Sequence, residues 1–399
     1  MFAARAPVHL THTKTPKIFH FALLSAICAG SRGLLVSIWP LLIYQSWQNF
    51  ETVSLIYLFL GISGLIWTGL VPVIIRWLPR RWTMTFGISL NIFGCLLVLT
   101  KQPVLMTFGL LMDGLGTITF LICLNAYVLD YISRIELGKN ESMRLAFSAI
   151  CWSVGPLSGV LLMNWWFPAP FIFALFLSVI LMISFWLLRL GNGKQISKSS
   201  GPAPNPFAYL RRFIYQPRLV SGWLFAVARS CGWLVYIVYL PIYCIESGLG
   251  NLVGAVALSV TNLFLFFSPF LLRVVIKNGV RISVIGSFCT AALAFGLAWI
   301  LADHAWWTFA TLFVGSCALI MLDVCGSLPF LMAVKPSERT EMSAVYSSFQ
   351  SVSGILVPAA ASIILLVSPI PGIFAVTSLS LGSMAFLARK LHSRLGSAK

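Results

Sequence analysis

The chain has 399 residues, of which 59% are hydrophobic and only 9% are charged, and its mean hydropathy is +0.93. A water-soluble protein carries about 25% charged residues because its surface must be hydrated, so this composition excludes a soluble globular protein. The net charge of +17 does not indicate nucleic-acid binding, because the basic residues are scattered over short connections and form no contiguous basic face.

Twelve apolar segments follow one another along the chain, each long enough to cross a bilayer as a helix of about 20 residues. We number them as spans 1 to 12; they cover residues 18–45, 53–75, 83–100, 104–131, 145–164, 169–188, 219–245, 250–272, 282–302, 305–332, 343–367 and 370–388. The sequence therefore predicts an all-α membrane protein with twelve transmembrane helices.

Basic residues lie almost entirely on one side of these spans. Twenty-four of the 27 lie in the termini and in the alternate connections that share their side, whereas Lys101 alone lies on the other side. The remaining two, Arg32 and Arg229, fall within spans. Because Lys and Arg are retained in the cytoplasm during insertion, we expect a multi-pass protein of the cell inner membrane with both termini cytoplasmic.

A polar segment rich in Gly, Pro, Ser and Lys interrupts the chain at its middle. It predicts an N-terminal six-helix bundle at 1–188, a cytoplasmic linker at 189–218 and a C-terminal six-helix bundle at 219–399. Landmarks recur in the same order in both halves: Arg32, Pro40, Pro72, Asp113 and Gly155 match Arg229, Pro241, Pro269, Asp323 and Gly354. The recurrence predicts two pseudo-symmetric bundles, which is typical of carriers whose site lies between the repeats.

Two glycine-rich motifs resemble those of the major facilitator superfamily, and the resemblance extends over the whole chain. Gly109-Leu-Leu-Met-Asp113-Gly114-Leu-Gly116 is similar to that family's fourth-helix motif, although Leu110 replaces the usual Arg. Gly155-Pro156-Leu-Ser-Gly159 is similar to the fifth-helix motif that is typical of exporters, although Val160 replaces a usual Gly. These motifs do not identify a subfamily.

We expect gating or close-packing roles for Gly114, Gly116, Gly155, Pro156 and Gly159, because small residues let helices approach closely. The segment from Pro72 to Arg81 occupies the position of the family's loop motif between spans 2 and 3. Arg76 there, and Arg273 in the second half, either lock loops against Asp130, Glu338 or Glu341 or serve only as topogenic charges.

Aromatic residues near helix ends, including Tyr44 and Trp165, are interpreted as interfacial anchors.

Four charged residues fall within spans, and they are Arg32, Asp113, Arg229 and Asp323. An ionised side chain in the hydrocarbon region costs about 2.5–3.5 kcal/mol on insertion scales, so such residues usually face the bundle interior. They lie in spans 1, 4, 7 and 10, the spans that the resemblance implies to line a central cavity. Their estimated depths predict two pairs, Arg32 with Asp113 and Arg229 with Asp323.

These charges either bind substrate or only neutralise each other. An Arg fork binds carboxylate or phosphate oxygens in bidentate fashion, so our hypothesis is an anionic or zwitterionic organic substrate held by Arg32 and Arg229. Asp113 and Asp323 balance that charge when the site is empty. They are also candidates for proton coupling, unless they stay ionised throughout the cycle.

The sequence thus predicts a monomeric secondary active transporter that works by alternating access, is coupled to protons and is directed towards export of a siderophore, drug or metabolite. We expect no metal and no cofactor. An uptake permease of the same superfamily, and a transporter-like sensor or lipid scramblase without coupled transport, are the alternatives. A membrane enzyme is not expected, because Asp303-His304 is the nearest approach to a catalytic constellation at a membrane face.

Overall fold

The computed structural model describes residues 18–132, 137–188, 211–325, 330 and 345–390, and all regular secondary structure in these ranges is helical. The α-helices are α1 Ile18–Val36, α2 Ile38–Trp47, α3 Phe50–Trp77, α4 Arg80–Val98, α5 Pro103–Tyr131, α6 Leu137–Trp165, α7 Ala169–Leu187, α8 Pro217–Glu246, α9 Asn251–Leu263, α10 Ser268–Asn278, α11 Val280–Ile300, α12 Ala305–Cys325, α13 Phe349–Ile364 and α14 Pro371–Ala388.

Ten helical segments in the described part of the chain are long and apolar enough to cross a membrane. One of them, Ile18–Trp47, combines α1 and α2. Predicted spans 8 and 11 are represented by the shorter apolar helices α9 and α13. A 3₁₀ turn at Phe264–Phe267 separates α9 from α10, and Pro269 at the start of α10 cannot donate a main-chain hydrogen bond. Multiple membrane spans are therefore present, and the count of twelve stays a prediction.

The predicted linker lies mostly outside the described residues. Its last part is helical in places, because residues 211–214 are helical and α8 begins at Pro217. Phe213 is buried, and its ring centroid lies 6.3 Å from that of Phe330. The buried side chain of Phe213 therefore attaches the end of this segment to the second half.

Helices of the first half pack in a definite order. Helix α1 contacts α6 and α7, α4 contacts α5 and α7, and α3 contacts α5. The second half repeats these pairings, since α8 contacts α13 and α14, α11 contacts α12 and α14, and α9 and α10 contact α12. Between the halves, α3 packs on α13, α6 on α9 and α2 on α8. One hydrophobic core accordingly runs through both halves.

Glycine residues set the distance between α1 and α6. A Cβ atom on Gly159 would lie 2.0 Å from the carbonyl oxygen of Leu34, and one on Gly155 would lie 2.4 Å from the carbonyl carbon of Gly33. Gly116 similarly faces Asn91 on α4, whose Oδ1 atom would lie 2.0 Å from an added Cβ. Gly114 faces only a side-chain atom of Leu60, at 3.0 Å.

Aromatic residues at the helix ends divide into two groups. Trp165, Trp306 and Trp307 are 78%, 64% and 65% exposed, as expected for interfacial anchors. Tyr44 is buried, so its interpretation as an anchor is wrong. Its ring stacks on that of Phe50 with centroids 4.8 Å apart, and its hydroxyl group donates to Glu246 in the other half. Because Tyr44 bonds to Glu246 in the other half, its side chain points into the bundle and not towards the lipid.

Candidate functional site

A cavity of about 240 Å³ lies between the two halves of the bundle. Its walls are formed by Val36 and Trp152 of the first half and by Trp233, Ile237, Leu258, Asn262 and Asp323 of the second. Helices α1, α6, α8, α9 and α12 thus meet around it. Five of these seven side chains are apolar or aromatic, and the polar groups are few and localised, as in small-molecule sites generally.

Both predicted arginines lie near this cavity, although neither lines it. Arg32 precedes Val36 by four residues on α1, and Arg229 precedes Trp233 by four on α8. Residues four apart lie on the same face of a helix, one turn above the other. Each arginine is therefore one helical turn from a wall residue.

Arg229 and Asp323 are brought together as a direct ion pair. The Nη1 atom of Arg229 lies 2.9 Å from Oδ1 of Asp323, and the indole Nε1 of Trp233 donates to Oδ2 at 2.8 Å. The Arg229 side chain is 14% exposed and that of Asp323 is 32% exposed. The arginine is thus neutralised within the protein wall, while its carboxylate partner faces the cavity.

Arg32 and Asp113 do not form the predicted pair. Asp113 is buried and accepts a hydrogen bond at 3.2 Å from the indole Nε1 of Trp39 on α2. The Arg32 guanidinium lies 5.4 Å from the ring centroid of Trp152, a cation–π distance. The partner of Asp113, Trp39, lies seven residues after Arg32, which is about 10 Å further along the helix. Asp113 is therefore at a different depth from Arg32. The two charges interact at longer range, and Arg32 has no ion-pair partner among the described residues.

Three prolines lie four residues after residues of the cavity wall. A proline has no N–H group to give to the carbonyl four residues earlier. Pro40, Pro156 and Pro241 therefore cannot donate to the carbonyls of Val36, Trp152 and Ile237, three residues that line the cavity. In α6 the amide that follows Pro156, that of Leu157, donates to the Ser259 hydroxyl of the other half at 2.9 Å. The regular helical hydrogen-bond pattern is thus interrupted next to the cavity in three helices.

Side-chain hydrogen bonds join the halves on one side of the cavity. Besides the contact of Leu157 with Ser259, they are Tyr44 to Glu246, Ser54 with Tyr239 at 2.9 Å, and Asn251 to Asn164 at 2.8 Å. We call this the latched end; it is the end at which α2, α6 and α8 finish and α3 and α9 begin. These four hydrogen bonds lie at the level of the cavity or between it and this end.

Replacing Tyr44 by phenylalanine is expected to loosen the latched end. The change removes the donor to Glu246 across the halves, and a hydrogen bond of this kind contributes about 1 kcal/mol, or roughly fivefold in local opening. Amide hydrogen exchange of the α8–α9 connection at 247–250 should rise accordingly. Tyr243→Phe is the matched control, because its hydroxyl donates to Ala302 within the same half at 3.1 Å. Equal exchange in both variants would show that the bond does not join the halves.

The structure describes only some of the remaining residues that the sequence singled out. The side chain of Arg76 and those of its proposed partners Asp130, Glu338 and Glu341 lie outside the described residues, whereas Arg273 is exposed on α10. Loop locking by these residues stays a prediction. No group of three or more His, Cys, Asp or Glu side chains that could hold a metal ion occurs in the described ranges.

Several cavity residues were not predicted from the sequence. Trp152 of the first half and Trp233 of the second both line the cavity, and Trp39 donates a hydrogen bond to Asp113. The spacing of four between Arg229 and Trp233 could have indicated a shared face. No sequence pattern indicates that Tyr44 meets Glu246, because 202 residues separate them.

Comparison with known proteins places the chain among transporters. The family profile of the Major Facilitator Superfamily matches residues 21–358. Comparison with curated proteins by sequence finds no relative of significant similarity.

Three solved transporter structures share this helix arrangement. A mutant of the nucleoside transporter NupG aligns with a TM-score of 0.71 at 13% identity, over 93% of this chain and 98% of that one. A bacterial homologue of the iron transporter ferroportin, in an inward-facing state, aligns with 0.68 at 13%, over 97% and 100%. A POT family transporter in complex with 5-aminolevulinic acid aligns with 0.71 at 12%, over 92% and 94%. At these identities the similarity concerns the fold.

Proposed function

Because the chain belongs to the major facilitator superfamily, we propose that it is a secondary transporter that moves a small organic anion or zwitterion across the membrane by alternating access. The family and the fold indicate a multi-pass transporter rather than an enzyme. The solved structures of this fold include a nucleoside transporter, a homologue of an iron transporter and a POT family transporter in complex with 5-aminolevulinic acid, so the fold leaves the substrate open. The argument for a substrate must come from the cavity of this chain.

Two six-helix halves that rock against each other are supported by the helix pairings. The contacts of α1, α3 and α4 in the first half have counterparts in those of α8, α9 and α11 in the second. Counting α9 with α10 as one span, and α13 as another, completes six spans in each half. The cavity between these halves is where a carrier built from repeats holds its substrate.

The latched end supports a conformation that is closed on the outer side. The positive-inside distribution predicts cytoplasmic termini, so α1 begins at the cytoplasm and the end near Tyr44 faces outward. Hydrogen bonds across the halves then close the outer side, with the cavity directly beneath them. Opening this layer while the cytoplasmic side closes would complete the cycle.

The observation that carries the proposal is an arginine without an ion-pair partner beside a cavity between the halves. Arg32 lies on the same helical face as the wall residue Val36, and no described carboxylate pairs with it directly. A cation left unpaired within a membrane is costly, and a ligand carboxylate or phosphate would neutralise it. Substrate binding thus gives a physical reason for its presence.

Direction and coupling are further parts of the proposal. The Gly155-Pro156-x-x-Gly159 motif favours export, and an uptake permease is the alternative. Asp323 is the candidate proton carrier, because it faces the cavity and would lose its partner whenever Arg229 turned to a substrate. Asp113 is a second candidate, although Trp39 holds it away from the cavity wall. A sensor or lipid scramblase would lack uphill transport of a solute.

The proposal is tested in proteoliposomes loaded with a cell metabolite extract. Mass spectrometry identifies compounds that cross in the presence of the protein and not in empty liposomes. Arg32→Ala should lower their transport by about tenfold or more, since a charge-assisted hydrogen bond contributes about 1.5–3 kcal/mol. Arg229→Ala should also lower it, by releasing Asp323. Lys277→Ala, at an exposed position on α10, is the control. Undiminished transport in both arginine variants would refute the site.

A further inference from the structure

Two acceptor groups, on Asp323 and Asn262, lie in the otherwise apolar second-half wall of the cavity. The Asp323 carboxylate is 32% exposed although it already accepts from Arg229 and Trp233, and a carboxylate has about four acceptor sites. The Asn262 amide nitrogen donates to the Leu258 carbonyl at 2.8 Å. Since that carbonyl can only accept, the side-chain oxygen of Asn262 is left as an acceptor at a cavity-lining position.

These two acceptors require hydrogen-bond donors from a ligand. An ammonium group carries three donors and no acceptor, so it fits the Asp323 carboxylate and the side-chain oxygen of Asn262.

The balance of charge limits the net charge of the ligand. Arg229 is neutralised by Asp323, and Arg32 and Asp113 are close enough to interact electrostatically without a direct pair. The four charges therefore sum to zero. A phosphate dianion would need more than one unpaired cation, whereas Arg32 is the one cation beside the cavity that lacks a direct ion pair among the described residues. An electroneutral ligand matches this site.

Aromatic side chains shape the space between the charged groups. Trp152 belongs to the first half and Trp233 to the second, and Val36, Ile237 and Leu258 complete an apolar lining. Indole faces favour flat or apolar bodies. The volume of about 240 Å³ restricts the ligand to a small molecule.

We propose that the cavity binds a zwitterion with its charges at opposite ends of a short apolar or aromatic body. Its ammonium group meets Asp323 and Asn262 on the second half, and its carboxylate meets Arg32 on the first. The body lies between Trp152 and Trp233. The ligand thus bridges the halves, and the inference, which rests on the proposed transport function, narrows its substrate class from organic anions or zwitterions to amine-bearing zwitterions.

The test uses three probes of one shape: para-aminomethylbenzoate, which is zwitterionic, benzylamine, which has only the ammonium, and para-methylbenzoate, which has only the carboxylate. Binding to the full chain in nanodiscs is measured by titration calorimetry. We expect the zwitterion to bind about tenfold or more tightly than either analogue, since each analogue leaves one charged partner unmatched. This ligand series needs no variant that might fail to fold.

Three variants then test which residue contacts each charged end of the ligand. Arg32→Gln should abolish the advantage of para-aminomethylbenzoate over benzylamine and keep its advantage over para-methylbenzoate. Asn262→Leu should weaken both amines by a similar factor and leave para-methylbenzoate unchanged. Lys277→Gln should alter none of the three affinities. If Arg32→Gln weakened all three probes equally, the arginine would act on the fold rather than on the carboxylate, and the assignment would fall.

Outcomes for this inference and for transport are separable. Binding of para-methylbenzoate as tightly as the zwitterion would overturn the inference and leave a carrier of organic anions in place. Failure of all three probes to bind would also overturn it, while the metabolite assay decides transport independently. If metabolites crossed and every one were an anion without an amine, the proposed function would stand and the zwitterion would not.

Discussion

Replacing Gly61 by alanine is expected to slow transport strongly, whereas replacing Gly354, at the same helix contact, is expected to change it little. A Cβ atom on Gly61 of α3 would lie 2.2 Å from the carbonyl oxygen of Gly354 on α13. A Cβ atom on Gly354 would meet nothing within 4 Å. The two positions thus form a matched pair across the halves.

The size of the effect follows from where the clash falls. The added methyl group of Gly61→Ala would clash with the main-chain carbonyl of Gly354, which cannot rotate away as a flexible side chain could. Helices α3 and α13 would therefore have to move apart. Overpacking of this kind costs about 1–3 kcal/mol, which shifts an equilibrium between two conformations by roughly 5- to 150-fold. Because the contact joins the halves, the shift disfavours the conformation closed at the latched end.

Transport rates in proteoliposomes compare the two variants directly, and amide exchange at 247–250 reports the state of the latched end. Gly61→Ala should show slow transport together with fast exchange, and Gly354→Ala should resemble the unmodified chain. Equal transport by both variants would contradict a role for the α3–α13 contact in the cycle. Slow transport without faster exchange would indicate a folding defect instead.

Replacing Gly159 by alanine is expected to lower the thermal stability of the whole bundle. The added methyl group would meet the Leu34 carbonyl at 2.0 Å, and α1 would have to leave the face of α6 against which it packs. We expect a loss of about 1–3 kcal/mol, visible as a Tm lower by several degrees. Helix α1 also carries Arg32, so substrate affinity should fall with it.

Two other helical glycines provide controls for this experiment. A Cβ atom added to Gly69 on α3 or to Gly286 on α11 would meet no atom within 4 Å. Alanine at either site should leave Tm unchanged or raise it slightly, because alanine favours helix over glycine. A Tm for Gly159→Ala equal to that of these controls would contradict the close approach of α1 and α6.

Family, helical class and approximate span positions could be predicted because they depend on composition and local pattern. Lipid requires long apolar helices whose main-chain groups are satisfied internally, and such helices are visible in the chain. The interruption of span 8 was less visible. The run from Phe264 to Phe267 is as apolar as its surroundings, so hydropathy continues through a point where the regular helix does not.

The candidate site could be predicted only where it depends on depth along a helix. Arg229 and Asp323 meet because both lie at one level of adjacent helices. Arg32 and Asp113 lie at different levels, and Trp39 intervenes. Helical rise gives a height, but rotation about the helix axis and the neighbours that compete for a carboxylate are set by tertiary packing. Five helices form the cavity walls, so the wall residues could not be predicted from the sequence.

The break between α1 and α2 at Ser37 has a mechanical consequence. Pro40 interrupts the first span, and Pro241 lies inside α8 at the corresponding place; prolines are points at which helices bend. Each of these spans therefore has a point at which it can bend, close along the chain to a residue that lines the cavity, Val36 in the first span and Ile237 in α8. Tyr44 and Glu246 lie beyond these prolines, whereas Arg32 and Arg229 lie before them. A solute bound in the cavity therefore contacts both spans next to the points at which they can bend.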